Sequence, residues 1–115
     1  MNNLPILNRS VVTVVPQQAF FDWANRVFPD DPVNSTDFYE HNSYLIEEDL
    51  MFADKKADLK KYWKPIFEQE LYGICTDLST FPKMTWELFT QYFYCYCSSL
   101  VQDLTKKPLY LETYA

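Results

Sequence analysis

Apolar and polar positions change period several times along the chain, and each change marks an element. Residues 10–15, Ser-Val-Val-Thr-Val-Val, are β-branched and nearly all apolar. That pattern predicts a strand covered on both faces or lying inside a sheet. Pro16 ends it and presets the first turn of a helix. From there to Phe28, Phe20, Trp23, Ala24 and Val27 fall at i, i+3, i+4 and i+7 and form one stripe, with Asp22, Asn25 and Arg26 facing away. Pro29-Asp30-Asp31-Pro32 is a loop, and Ser35 and Thr36 are caps for a short turn. Residues 43–48, Ser-Tyr-Leu-Ile-Glu-Glu, predict a second, shorter strand whose charged end suits a sheet edge.

Residues 54–75 form the longest helical pattern. Leu59, Trp63, Ile66, Phe67, Leu71 and Ile74 recur at spacings of three and four, and five lysines between Lys55 and Lys64 lie largely off that stripe. Pro65 predicts a kink or two abutting helices. The single glycine, Gly73, stands near the helix end, where it helps end the helix or lets it approach a sheet closely. Thr85 is an N-cap for a short helix carrying Trp86, Phe89 and Tyr92.

Residues 93–104, Phe-Tyr-Cys-Tyr-Cys-Ser-Ser-Leu-Val-Gln-Asp-Leu, hold no Gly, Pro or Lys and one charge, Asp103. The reading is a central strand around which the other elements pack. Period-two alternation puts Phe93, Cys95, Cys97, Ser99 and Val101 on one face, mostly small, so that a helix lies close. The other face carries Tyr94, Tyr96 and Leu100, a surface half wet or met by a partner. The expected fold is α+β in the order β-α-β-α-α-β, a small, mostly antiparallel sheet with helices packed on one face. It spans residues 10–105, between a flexible arm at 1–9 and a tail at 106–115.

Length and composition narrow the picture. A chain of 115 residues with 48% hydrophobic content is one globular domain able to bury a core. Aromatics at 18% are too many for so small a domain to hide completely, so some belong to an interface. A net charge of -6 opposes phosphate binding and therefore nucleic acid. No apolar run has the length of a membrane span, and the first residues lack the charged and apolar regions of a signal peptide. Three cysteines make an odd count, which argues against a complete disulfide framework and for a reducing cytoplasm.

Several of these stretches together resemble a group of small uncharacterised bacterial cytosolic proteins. The resemblance rests on Val12-x-Val14-x-Pro16, Phe20-x-x-Trp23-x-Asn25, Tyr44-Leu45-Ile46-x-Glu48, Ile66-Phe67-Glu68-x-Glu70-Leu71, Cys75-Thr76-Asp77, Pro82 and Val101-x-Asp103-Leu104. It covers roughly residues 11–104 and implies a compact α+β fold and a bacterial, cytosolic context, with no activity to carry over. Cys95 and Cys97 stand where that group is expected to have larger apolar residues, so the resemblance implies no cysteine chemistry.

Candidate chemistry is sparse. Cys95-x-Cys97 supplies two thiols on one face, but a tetrahedral zinc site needs about four ligands, and only Cys75 and His41 remain. The three cysteines read as packed thiols with no metal. His41, the sole imidazole, reads as a solvated loop residue rather than the base of a Cys-His pair. Glu68 and Glu70 are two apart on a helix and point in different directions, and Glu47-Glu48-Asp49 is a solvated edge. Asp103, at the end of an apolar strand, reads as a carboxylate receiving hydrogen bonds from a loop or helix N-terminus in preference to a raised-pKa acid. No Gly-rich phosphate loop, nucleophile elbow or His-Glu-x-x-His motif is present.

The expected function is therefore a non-enzymatic protein-interaction or regulatory protein in the cytoplasm. It needs no catalytic residue, cofactor or metal, and meets a protein partner or a second copy through Tyr94, Tyr96 and Leu100. The alternative is a small enzyme or small-molecule binder with its pocket between sheet and helices. A nucleic-acid module stacking bases on Tyr94 and Tyr96 comes third, against the acidic balance.

Overall fold

The computed structural model describes residues 5–112. Among the described residues the chain is an α+β fold of three strands and three α-helices in the order β-α-β-α-α-β. β1 (Arg9–Pro16) is followed by α1 (Gln18–Val27), β2 (Ser43–Glu47), α2 (Lys55–Tyr72), α3 (Trp86–Tyr92) and β3 (Phe93–Ser98). The sheet is antiparallel throughout, in the order β2-β1-β3.

The central strand is β1, which corrects the expectation that residues 93–104 hold that place. β1 is the most β-branched run in the chain, and its near-continuous apolar character reflects a position inside the sheet. β3 is an edge strand and stops at Ser98. Beyond it the chain bends at Ser99 and pairs again with a different segment. Leu7 N donates to Val101 O at 2.7 Å, Asp103 N donates to Pro5 O at 3.0 Å, and Ile6 bridges Gln102. Val11 opposes Ser98 in the main ladder whereas Ile6 opposes Gln102 in the outer one. Five steps on the first strand thus meet four on the second, so one extra residue is accommodated between them, as in a bulge.

The helices lie on one face of the sheet. That face carries Ser10, Val12 and Val14 of β1, Ile46 of β2, and Phe93 and Cys95 of β3, all buried. Phe67 of α2 is at the middle of the core, with ring centroids 5.4 Å from Tyr92, 5.6 Å from Phe93 and 5.7 Å from Phe89. α1 reaches the same cluster through Phe20, 5.3 Å from Phe93. Trp23 is buried as its stripe predicts, and its Nε1 donates to Thr80 O at 3.0 Å, tying α1 to the turn before α3. Trp63, expected on the same grounds to be buried, is only half-buried. It lies at the margin of the core against Trp86 and Phe89.

Local signals account for most boundaries. Thr85 Oγ1 accepts from Leu88 N at 3.1 Å and starts α3, and Asp54 Oδ1 accepts from Ala57 N at 3.1 Å and starts α2. α2 runs unbroken through Pro65, because Lys61 and Pro65 are both on its exposed side, where water can meet the carbonyl that proline leaves unpaired. Gly73 ends α2 at φ −62°, a backbone any residue adopts. Asn25 does not face solvent as expected. It exchanges two hydrogen bonds with the Val33 backbone, at 2.8 and 3.0 Å, and pins the double-proline loop. Between β2 and α2, Met51 and Phe52 both take positive φ, 69° and 45°, which is unfavourable for side-chain-bearing residues. Among the described residues no helix is long and apolar enough to cross a membrane.

Truncating Phe67 to Ala should lower stability by about 3 to 5 kcal/mol, as for other large core rings, and Trp63 to Ala should cost distinctly less. Chemical denaturation of the two variants against the parent chain checks both.

Candidate functional site

Strand geometry builds one surface from three distant segments. Val11, Thr13 and Val15 of β1 point away from the helices. The register sets Thr13 opposite Tyr96 and Ser43, Val15 opposite Tyr94, and Val11 opposite Ser98 and Leu45. All these side chains therefore share the sheet face that no helix covers. Thr13 and Ser43 hydroxyls join across it at 2.9 Å. Tyr94 and Tyr96 meet edge to face at 4.7 Å between centroids, and the Lys55 ammonium lies 5.2 Å from the Tyr94 ring centroid.

The structure brings two of the three expected partner-binding residues together here. Tyr94 is 51% exposed and Tyr96 60%. Leu100 is more exposed still, at 69%, but it lies beyond the end of β3, so the ladder does not fix it on this face. Sequence reasoning did not include Leu45, Val11 and Val15, which join Tyr94 and Tyr96 only through strand pairing. Their own alternation was the available signal, but it does not say which strand comes next to which.

A second feature, a polar cleft, lies on the covered side. It has a volume of about 250 Å³ and is walled by Phe20, Phe38 and Val14, with His41, Asn42 and Glu70 supplying polar groups. Glu70 is 7% exposed. Its Oε2 accepts from Asn42 Nδ2 at 2.6 Å and from the Tyr44 hydroxyl at 2.5 Å. Burial, and then the hydrogen bond to Glu70, push the Tyr44 hydroxyl well above the ordinary phenol range. Tyr44 is thus a fixed donor. Glu68 and Glu70 point in different directions as their spacing requires, Glu68 to solvent and Glu70 into the core. The signal was present: Glu70 falls four residues after Ile66 and three after Phe67, on the apolar stripe itself.

The remaining candidates stay apart. His41 is exposed at the mouth of the cleft. The three cysteines form no disulfide. Burial pushes the Cys95 thiol up to about 11 and raises that of Cys97, so neither is primed as a thiolate. Asp103 Oδ1 accepts from Thr105 N at 2.9 Å, a local turn. Among the described residues no three His, Cys, Asp or Glu side chains are grouped to hold a metal ion. Asp58 and Asp49 face each other closely enough to share a hydrogen bond, which holds the Asp58 carboxyl above the ordinary range. Asp58 Oδ2 is shielded from water and has no hydrogen-bond partner, which further disfavours the charged form.

Two outcomes follow. Glu70→Ala removes the charged acceptor shared by the half-buried Tyr44 hydroxyl and the exposed Asn42 amide and should cost about 1 to 3 kcal/mol in a denaturant titration. For Asp58, the folded state holds its proton to higher pH than the unfolded chain does, so this group's contribution to stability falls as pH rises past the ordinary aspartate value. Asp58→Asn should therefore gain stability relative to the parent chain between about pH 4 and pH 7, read from melts across that range. Comparison with known protein families, with curated proteins and with solved structures finds no match, so the reading of both surfaces rests on their geometry.

Proposed function

We propose that this chain is a non-enzymatic interaction protein whose working surface is the open face of the sheet, and that its first occupant is a second copy of the chain. The observation that carries this reading is the uncovered face itself. Two half-exposed tyrosines, Leu45 and the β1 valines make a continuous amphipathic surface, and tyrosine-rich, weakly charged surfaces are those that proteins use to meet each other. Its charged groups, Arg9 and Glu47, are opposite one another at one end. Beyond these, the Lys55 ammonium over Tyr94 is the one charge placed against the face, and so weakly charged a surface lets two copies approach although each carries a net charge of -6. The resemblance to small bacterial cytosolic proteins fits a soluble cytoplasmic role of this kind.

A second reading, a small-molecule binder, is supported by the cleft at Glu70, where a buried carboxylate, Asn42 and His41 converge beside aromatic walls. Its polar groups are also explained by the fold, because Glu70 fastens the segment before β2 to α2.

Sedimentation velocity over a wide concentration range tests the first reading. The parent chain should associate, and the double variant Tyr94→Ser with Tyr96→Ser should shift the monomer–dimer midpoint upward by about tenfold or more while its melting point changes little, since truncating central interface aromatics often costs more than 1 kcal/mol of binding. A parent chain that stays monomeric throughout rules out self-association.

A further inference from the structure

We infer that the outer edge of β3 is a docking site for an extended acidic peptide, which would add to the sheet as a fourth strand. This site adjoins the open face, sharing Tyr94 and Lys55 with it, but rests on different observations. β3 pairs only with β1, so the backbone groups along its other side have no strand partner. Such an edge is a template for another chain.

A groove of about 360 Å³ opens there, and Phe93, Tyr94 and Cys95 all line it. Consecutive strand residues point to opposite faces, so a groove touching all three runs along the strand's edge. Its far wall is apolar, built from Leu59 of α2 with Trp86 and Phe89 of α3. Alternate side chains of an incoming strand would enter it.

The charge around the groove selects the occupant. Lys55 and Lys56 line it, and the Lys60 ammonium lies 5.5 Å from the Trp86 ring centroid. No carboxylate lines the groove, and the ion pair of Lys61 with Glu47, at 3.7 Å, lies elsewhere. Three lysines without acidic partners thus border an apolar floor on an otherwise acidic molecule. A second copy of β3 fits poorly. Phe-Tyr-Cys-Tyr-Cys-Ser brings no negative charge, and two-fold pairing would bring the two sets of lysines toward each other. The opposite edge does not offer the same site. At β2, the Tyr62 hydroxyl is 3.4 Å from Glu47 N and the strand runs into Glu47-Glu48-Asp49, which repels an acidic segment.

Selection of random octapeptides on the intact protein tests the inference. The enriched peptides should alternate apolar residues with Asp or Glu. Hydrogen exchange with one selected peptide bound should slow backbone amides of β3 that do not pair with β1. The variant Lys56→Glu with Lys60→Glu changes two exposed side chains on α2, and its fold is checked by circular dichroism. It should weaken that peptide by about tenfold or more. An unenriched pool, a pool without acidic preference, unchanged affinity in the variant, or no slowing within β3 each overturns the inference. Sedimentation reads the open face independently, so either reading can fail while the other stands.

Discussion

Phe67 meets rings from all the neighbouring layers. It projects from the middle of α2 onto Tyr92, where α3 ends, and Phe93, where β3 begins, with Phe89 one turn earlier. Helix and strand follow each other there with no loop between them, so the backbone must change direction in one step. Packing of Tyr92 and Phe93 against a single ring on α2 holds that step in place. The alternation of β3 follows from it. Once Phe93 points inward, Cys95 and Cys97 do too, and Tyr94 and Tyr96 must face outward.

The same constraint separates what was legible in the sequence from what was not. Faces were legible, because period two and period 3.6 are local properties. The stripe of α1, the cap at Thr85, the inward cysteines and the outward tyrosines all follow from spacing. Rank within the sheet was not legible. Which strand lies at the centre depends on pairing between residues as far apart as Val11 and Ser98, and the long apolar run at 93–104 looked more central than the shorter run at 10–15. In the structure that long run is two pieces separated by the bend at Ser99, each pairing with a different part of the N-terminal segment. The open face was half legible for the same reason. Tyr94 and Tyr96 come from one strand, whereas Leu45 and the β1 valines reach them only through register.

Glu70 is a different case. A carboxylate on an apolar stripe is unfavourable unless something donates to it. The donors, Asn42 and Tyr44, belong to a segment twenty-six to twenty-eight residues earlier, so nothing near Glu70 in the chain announces them. With those bonds made, the helix and β2 are locked in one relative position. A neutral apolar residue at this place would pack without fixing that position, since apolar contact is not directional.

The outer ladder has a consequence for how the unit can be handled. Pro5 and Asp103 are bonded neighbours, so the chain enters and leaves the sheet at nearly the same point. A domain with adjoining ends can be grafted into a surface loop of a host protein without stretching either partner. It can also be circularised by a short linker and reopened in the double-proline loop after α1. Pulling on those two ends would separate the outer bridge first and then load β1 against β3 one pair at a time, so mechanical unfolding should begin as an unzipping and not as a shear.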